Sequence, residues 1–356
     1  MSASYRTVSW NPEKRRYDTV AGGLLVIFLT TAIGLQAWLR PELTIETLLI
    51  RALGAAALTL LQIILCIGPA TRFMPGLLPL LYNRRHLGVM MFTLALAHGA
   101  FSIVQFHSGG VLNPLVSVLV SNGRYGSVDQ FPFQPFGFIA LVILFLMAAT
   151  SHDFWLHNLT APVWKTLHMG VYVAYALIVM HVAFGVLQGE LQPALTVAFI
   201  GGLLVVLTLH VVAAQHEARG DREVREAEAD GYVTVCRVSE IPEKRAKTVC
   251  LSGERVAVFL YDGKVSAISN VCQHQNGPLG EGRIVNGCVV CPWHGFEYRP
   301  DTGASPPPFT EKVPTFDVRI TDGRVLVHPT PHTAGTPVTP ARIPMAAAVT
   351  PERTRR

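Results

Sequence analysis

The chain has 356 residues, of which 50% are hydrophobic and only 15% charged, with a formal net charge of +5. Charges crowd the last third, so the first two thirds are too apolar to supply the polar surface of a soluble domain. The basic excess sits in loops beside apolar runs and in the tail, and no P-loop, GxGxxG or aromatic RNA-binding pattern occurs, which excludes nucleic acid as a partner.

A polar segment, residues 1–19, comes first and lacks the small-residue cleavage pattern of a signal peptide, so the first apolar run is expected to remain. Six stretches are then long enough to span a bilayer, at about 20–39, 48–68, 85–106, 135–151, 162–187 and 193–214, the fourth being short. Arg6, Lys14, Arg15 and Arg16 precede the first; Arg72, Arg84 and Arg85 lie between the second and third; Lys165 follows the fourth; Arg219, Arg222 and Arg225 follow the sixth. The opposite loops carry only Arg40, Arg51 and Arg124. By the positive-inside rule both termini are expected to be cytoplasmic. Six cysteines agree with a reducing cytosol.

Ionisable side chains at membrane depth are costly and by default functional. His98 lies thirteen residues beyond Arg85 and His181 sixteen beyond Lys165, so the two match in depth and suit a haem held by two imidazoles. His86 and His168 form a second matched pair nearer the cytoplasmic end, which would make two stacked haems. Helix geometry opposes the second, since 13 residues separate His168 from His181 by about 140° and 12 separate His86 from His98 by about 120°. The competing reading of each is a histidine hydrogen-bonded to a neighbouring helix. His107, His152, His157, His210 and His216 fall at span ends or loops, where interfacial solvation accounts for them.

Arg84-Arg85-x-Leu87-Gly88 followed by His98, Thr150-Ser151 closing the fourth span, and Trp164-x-x-Leu167-His168 with His181 in the fifth resemble the ferric-reductase-like transmembrane family. That family includes the haem subunit of the bacterial methionine-sulfoxide reductase system and the haem cores of NADPH oxidases. The resemblance, over about residues 20–215, implies b-type haem on the third and fifth spans, with ligands at His98, His168 and His181. His86 has no clear counterpart in the bacterial members. NADPH oxidases continue into a flavin and nicotinamide domain, and this chain does not.

A charged linker, 219–231, leads instead to short β-rich runs (TVCRV, VAVFLY, VSAIS, RIVNGCVV, FDVRI, VLVH) punctuated by Asp262-Gly263, Asn286-Gly287 and Asp322-Gly323, each a hairpin signal. Six or more strands are expected over 232–329. Inside them lies Cys272-Gln-His274 and, after sixteen intervening residues, Cys291-Pro-Trp-His294. Two thiolates and two imidazoles at this spacing suit a [2Fe-2S] cluster with Cys272 and Cys291 on one iron and His274 and His294 on the other; imidazole in place of thiolate raises the potential. A zinc knuckle is the competing reading. The contexts CQHQNGPLGEG and CPWHGFEY, with Gly277, Leu279, Gly282, Pro292 and Gly295 in place, closely resemble the Rieske family.

Rieske proteins of the cytochrome bc type carry an extra cysteine in each loop; here those positions are Asn276 and Trp293, so the resemblance implies the ferredoxin-type branch without a disulfide. The serine that branch aims at a sulfur is replaced by Phe296, while Tyr298 stands where its tyrosine would. Losing one such hydrogen bond points to the low end of the Rieske potential range. Cys236, Cys250 and Cys288 read as buried strand residues. Residues 330–356, rich in Pro, Thr and Ala, read as a disordered tail.

The expected fold is thus an all-α six-helix transmembrane bundle, residues 20–218, followed by a small all-β Rieske domain. The expected function is electron transfer between a cytoplasmic donor such as a ferredoxin or flavin reductase, the cluster, and haem b (one or two), onward to quinone or an extracytoplasmic redox protein. A redox sensor signalling to a membrane partner is the alternative. A Rieske oxygenase would need a mononuclear iron domain for which no residues remain.

Overall fold

A computed structural model describes residues 12–77, 80–81, 83–127, 130–151, 155, 159, 161–185, 187, 193–221, 228–274, 277–292 and 295–344. The chain divides into a helical unit, residues 5–213, and a unit beginning at Ala214 that contains the β-domain.

Seven α-helices are described: α1 (Pro12–Leu39), α2 (Ile45–Thr71), α3 (Arg84–His107), α4 (Pro114–Val120), α5 (Gln134–Thr150), α6 (Ala161–Phe184) and α7 (Pro193–Asp221). Their starts follow local chemistry. Thr44 caps α2 by accepting from the Thr47 N–H, Asn113 accepts from Leu115 N–H at 3.0 Å before Pro114, and Pro135 fills the first turn of α5. Five of them are long and apolar enough to cross a membrane, while α5 has only 17 residues. At 1.5 Å per residue α5 reaches about 25 Å, just short of the hydrocarbon thickness of about 30 Å. The expected long loop after the third span contains α4, whose Ser117 hydroxyl bonds the His107 ring at 2.9 Å.

The helices pack chiefly as α2 on α3 and α5 on α6, with α1 on α2 and α3 on α5. Small residues make the close approach possible: Ala174 and Ala140 are buried among Leu61, Leu144, Met91 and Val206. Outward positions such as Leu24, Ile27, Val104, Leu146 and Val197 are exposed, as lipid-facing side chains are.

The β-domain comprises β1 (Val233–Arg237), β2 (Arg245–Leu251), β3 (Glu254–Tyr261), β4 (Lys264–Ser269), β5 (Arg283–Val285), β6 (Cys288–Val290), β7 (Glu297–Tyr298), β8 (Thr315–Phe316), β9 (Val318–Thr321), β10 (Arg324–Val327) and β11 (Ala341–Arg342). Three antiparallel sheets result: β1-β10-β9, β11-β4-β3-β2 with β8 also on β4, and β5-β6-β7. Each expected hairpin turn has both central residues at positive φ, for example Asn286 at 51° and Gly287 at 80°, the geometry that two-residue loops demand. A fourth, Ser252-Gly253, joins β2 to β3 in the same conformation. The expected run FDVRI is broken at Asp317 into β8 and β9, which pair with different strands.

Strand β3 is buried on both faces. Val256, Val258 and Leu260 enter one core with Val265 and Phe316; Ala257, Phe259 and Tyr261 enter the other with Ile268, Cys272 and Cys291. Period-two alternation therefore divides the domain into a structural core and a core beneath the cysteines.

The reading of 330–356 as disordered is corrected for residues 330–344. β11 pairs with β4, His332 N–H bonds Thr315 O at 2.9 Å, Val338 N–H bonds Asp301 O at 2.7 Å, and Thr315 Oγ1 donates to Thr336 O at 3.0 Å. A Pro-rich segment with few hydrophobic residues can be ordered when a sheet edge satisfies its backbone. Residues 345–356 lie outside the described residues. Deleting residues 331–356 is expected to lower the stability of the β-domain by about 2–4 kcal/mol, from hydrogen bonds worth about 1 kcal/mol each. Calorimetry of the full and shortened chains in detergent checks this; an unchanged transition would show that the segment adds nothing to the sheet.

Candidate redox centres

The first centre grows from two loops of the β-domain. One follows β4 and carries Cys272 and His274; the other follows β6 and carries Cys291. In the first, Cys272 N–H bonds Gly277 O at 2.9 Å and the Asn270 side chain accepts from Gly280 N–H at 2.6 Å. In the second, Gly295 at φ 73° turns the chain so that its N–H reaches Cys291 O at 2.9 Å. A Cβ on Gly282 would collide with the Val290 carbonyl, so glycine there lets the loops approach.

Both thiols are buried, Cys272 at 1% and Cys291 at 2% exposure, in one apolar cluster with Leu279, Phe296 and Tyr298. The Tyr298 hydroxyl is 3.4 Å from Cys272 Sγ and accepts from Gln273 N–H at 3.0 Å, which directs its own proton toward the sulfur. Burial, then the neighbouring Cys272, pushes the Tyr298 hydroxyl well above the ordinary tyrosine range, so it stays a neutral donor. Phe296 lies parallel to the His274 ring, 4.9 Å between centroids and 8° between planes, and is backed by Phe309. The residue in place of a serine donor therefore holds an imidazole by stacking.

His294, Trp293 and Asn276 lie outside the described residues. Among the described residues no three His, Cys, Asp or Glu side chains gather as a single-ion site. A two-iron centre takes two protein ligands per iron, and the buried thiols under a hydroxyl donor, with His274 alongside, fit that donor set. Among the described residues no disulfide joins any of the six cysteines.

The second centre lies in the helical unit. His98 on α3 and His181 on α6 face each other with ring centroids 6.1 Å apart and planes at 87°. His98 Nδ1 is 2.8 Å from the Ile50 carbonyl and His181 Nδ1 is 3.0 Å from the Phe133 carbonyl. A carbonyl only accepts, so each Nδ1 carries the proton and each Nε2 keeps its lone pair. Two imidazoles on opposite sides of one metal, with bonds of about 2 Å, put their centroids about 6 Å apart. Spacing and tautomer therefore both fit one metal centre between the rings.

The other two histidines have different partners. His86 Nδ1 lies 2.8 Å from Asp18 Oδ1 of α1, and His168 stacks on Trp164 at 3.7 Å with Nδ1 on Trp164 O and Nε2 3.2 Å from the Ser151 hydroxyl. No ring contact joins them among the described residues. His210, assigned to the interface by sequence, contacts Tyr172 OH at 3.3 Å. The carbonyl partners Ile50 and Phe133 carry no sequence signal, because any residue supplies a carbonyl.

Residues 53–179 match the ferric reductase like transmembrane component family, and residues 231–317 match the Rieske [2Fe-2S] domain family. The 3-phenylpropionate/cinnamic acid dioxygenase ferredoxin subunit of Photorhabdus laumondii is 34% identical over 95 residues, 26% of this chain and 90% of that protein. The chain belongs to the Rieske [2Fe-2S] family, joined to a ferric-reductase-like transmembrane component. Cholesterol 7-desaturase nvd 1 of Ciona intestinalis is 35% identical over 24% of this chain, which spans only 19% of that protein's length. A solved Sphingomonas yanoikuyae B1 ferredoxin is 28% identical, with 27% of this chain and 97% of that chain covered at TM-score 0.26.

The Rieske domain supports a [2Fe-2S] cluster, and the whole is a membrane redox protein of the electron-transfer kind. Tyr298→Phe is expected to lower the cluster midpoint potential, because a donor to a ligand sulfur stabilises the more negative reduced state. A hydrogen bond of about 1 kcal/mol corresponds to about 40 mV for a one-electron couple. Potentiometric titration of the isolated chain reads the shift, and an unchanged potential would remove Tyr298 from the tuning of the cluster.

Proposed function

We propose that this protein is a transmembrane electron conduit, carrying electrons from a cytoplasmic donor such as a ferredoxin or flavin reductase to quinone or an extracytoplasmic redox protein. A [2Fe-2S] cluster and a b-type haem, when bound, supply reversible one-electron chemistry. Cys272 and Cys291 would hold one iron and His274 and His294 the other. His98 and His181 would hold the haem iron. The observation that carries this reading is the facing pair of membrane histidines, each with Nδ1–H tied to a carbonyl and Nε2 left with its lone pair.

The reading takes one haem. His86 is engaged by Asp18 of α1 and His168 by Ser151 at the end of α5, and each of these contacts gives its histidine a role in fastening helices at the cytoplasmic ends, while Trp164 holds the His168 ring from within α6. The protein's part is otherwise spacing and tuning: α2 and α5 hold the ring planes, apolar side chains exclude water, and Tyr298 and Phe296 condition the cysteine and histidine of the cluster loops. Basic loops put both termini and the Rieske domain in the cytoplasm.

Purified full-length protein is expected to contain two irons and two sulfides per chain in addition to haem, and His274→Ala or His294→Ala to abolish the Rieske spectrum. Stoichiometric zinc with no sulfide would refute the cluster. His98→Ala and His181→Ala are each expected to remove the haem from protein that still inserts in the membrane, whereas His86→Ala retains it; full haem retention in both of the first two would end the proposed pairing. Rapid haem reduction after chemical reduction of the cluster is the conduit's signature, and an unreactive haem would favour a redox sensor.

A cysteine introduced near residue 350 is expected to resist membrane-impermeant thiol reagents in intact cells and to react after lysis. Labelling from outside would reverse the orientation.

A further inference from the structure

The two imidazoles are seated by one local device used twice. The carbonyls that receive them belong to Ile50 and Phe133, and four residues after each stands a glycine, Gly54 and Gly137. In a helix the carbonyl of residue i accepts from the N–H of residue i+4. Each imidazole therefore shares its carbonyl with a glycine N–H, and the bond from Gly137 N–H to Phe133 O is 3.5 Å long.

The glycines are where the rings lie. A Cβ on Gly54 would stand 2.9 Å from His98 Nδ1 and 3.0 Å from Cε1; one on Gly137 would stand 2.7 Å and 2.8 Å from the same atoms of His181. A rigid ring held by a hydrogen bond cannot yield to that methyl without turning or giving up the bond. Gly88 and Gly201, by contrast, would meet nothing within 4 Å.

The resemblance extends along both helix pairs at a constant offset of 83 residues. Gly54-x-x-Ala57-Leu58-x-x-Leu61 on α2 recurs as Gly137-x-x-Ala140-Leu141-x-x-Leu144 on α5. Leu94-x-x-x-His98-x-Ala100-Phe101 on α3 recurs as Leu177-x-x-x-His181-x-Ala183-Phe184 on α6. The two pairs so related, α2 with α3 and α5 with α6, are also the pairs that pack most extensively.

We propose that Gly54 and Gly137 are positioning residues in a duplicated imidazole clamp, in which two repeats of one helix pair fix the tautomer and ring plane of His98 and His181. This rests on the haem reading above. A second-layer partner that orients a metal-bound imidazole is worth about 10–100-fold in metal affinity. Loss of either glycine turns a ring and weakens its bond to the carbonyl, so both should act on the same centre in the same direction.

The test uses the full-length chain in detergent with Gly54→Ala and Gly137→Ala, beside Gly201→Ala, which fills open space, and Gly170→Ala, whose Cβ would lie 3.3 Å from Ile143 and so disturbs packing without touching a ring. Haem affinity, the low-spin ferric resonance and the haem midpoint potential are read for each. Both clamp variants are expected to shift the resonance and lose about 10–100-fold in affinity, while both controls match the parent. Because the device is duplicated, either clamp variant can carry the test if the other is not recovered from membranes. A haem-loaded parent with unchanged clamp variants, or the same change in Gly170→Ala, overturns the clamp and leaves the haem reading standing. A parent that binds no haem overturns both.

Discussion

A ring N–H buried among apolar membrane helices finds no water, and that constraint organises the helical unit. The partners available there are backbone carbonyls already engaged in helical ladders and a few side-chain hydroxyls. His98 and His181 use carbonyls, which accept a second hydrogen bond without breaking the first. The consequence reaches beyond solvation: committing Nδ1 leaves Nε2 as the basic nitrogen, the arrangement a metal-binding imidazole needs. The bond that satisfies a polar group in lipid here also leaves the other ring nitrogen with its lone pair.

Close helix approach follows from that geometry. An imidazole on α3 reaches a main-chain carbonyl on α2 only where the intervening side chain is missing, and small residues line the neighbouring contacts as well, with Ala140 and Ala174 almost wholly buried. Without a hydrophobic driving force between helices in lipid, such packing and interhelical bonds such as Gln62 to Tyr175 at 3.3 Å hold the bundle together. Other histidines of the bundle meet other partners: Asp18 for His86, Ser117 for His107 and Tyr172 for His210. Histidines in one bundle thus divide between those that fasten helices and the two whose rings face each other.

In the β-domain the ordering element is β3. Its alternate side chains enter two cores, one purely structural and one that closes beneath Cys272 and Cys291. Burying thiols in an apolar cluster makes each remaining polar contact count, so the Tyr298 hydroxyl on Cys272 weighs more than it would at a wet surface. Phe296 shows the opposite tactic: it stacks on His274 and offers no hydrogen bond to sulfur.

Long apolar runs, turn pairs such as Asn286-Gly287 and the spaced cysteines and histidines were legible in the sequence because each is a local property: length against bilayer thickness, a φ preference, a donor set. The split of FDVRI between β8 and β9, the strand β2 behind its charged start at Arg245 and Lys247, and the ordering of residues 330–344 were not, because each depends on which edge or face a distant strand offers. Depth matching placed His98 and His181 on one level, yet depth says nothing of azimuth. Only the packing of α2 on α3 and α5 on α6 decided that these two rings meet while His86 turns to Asp18, since a helix face becomes a contact only through its neighbour.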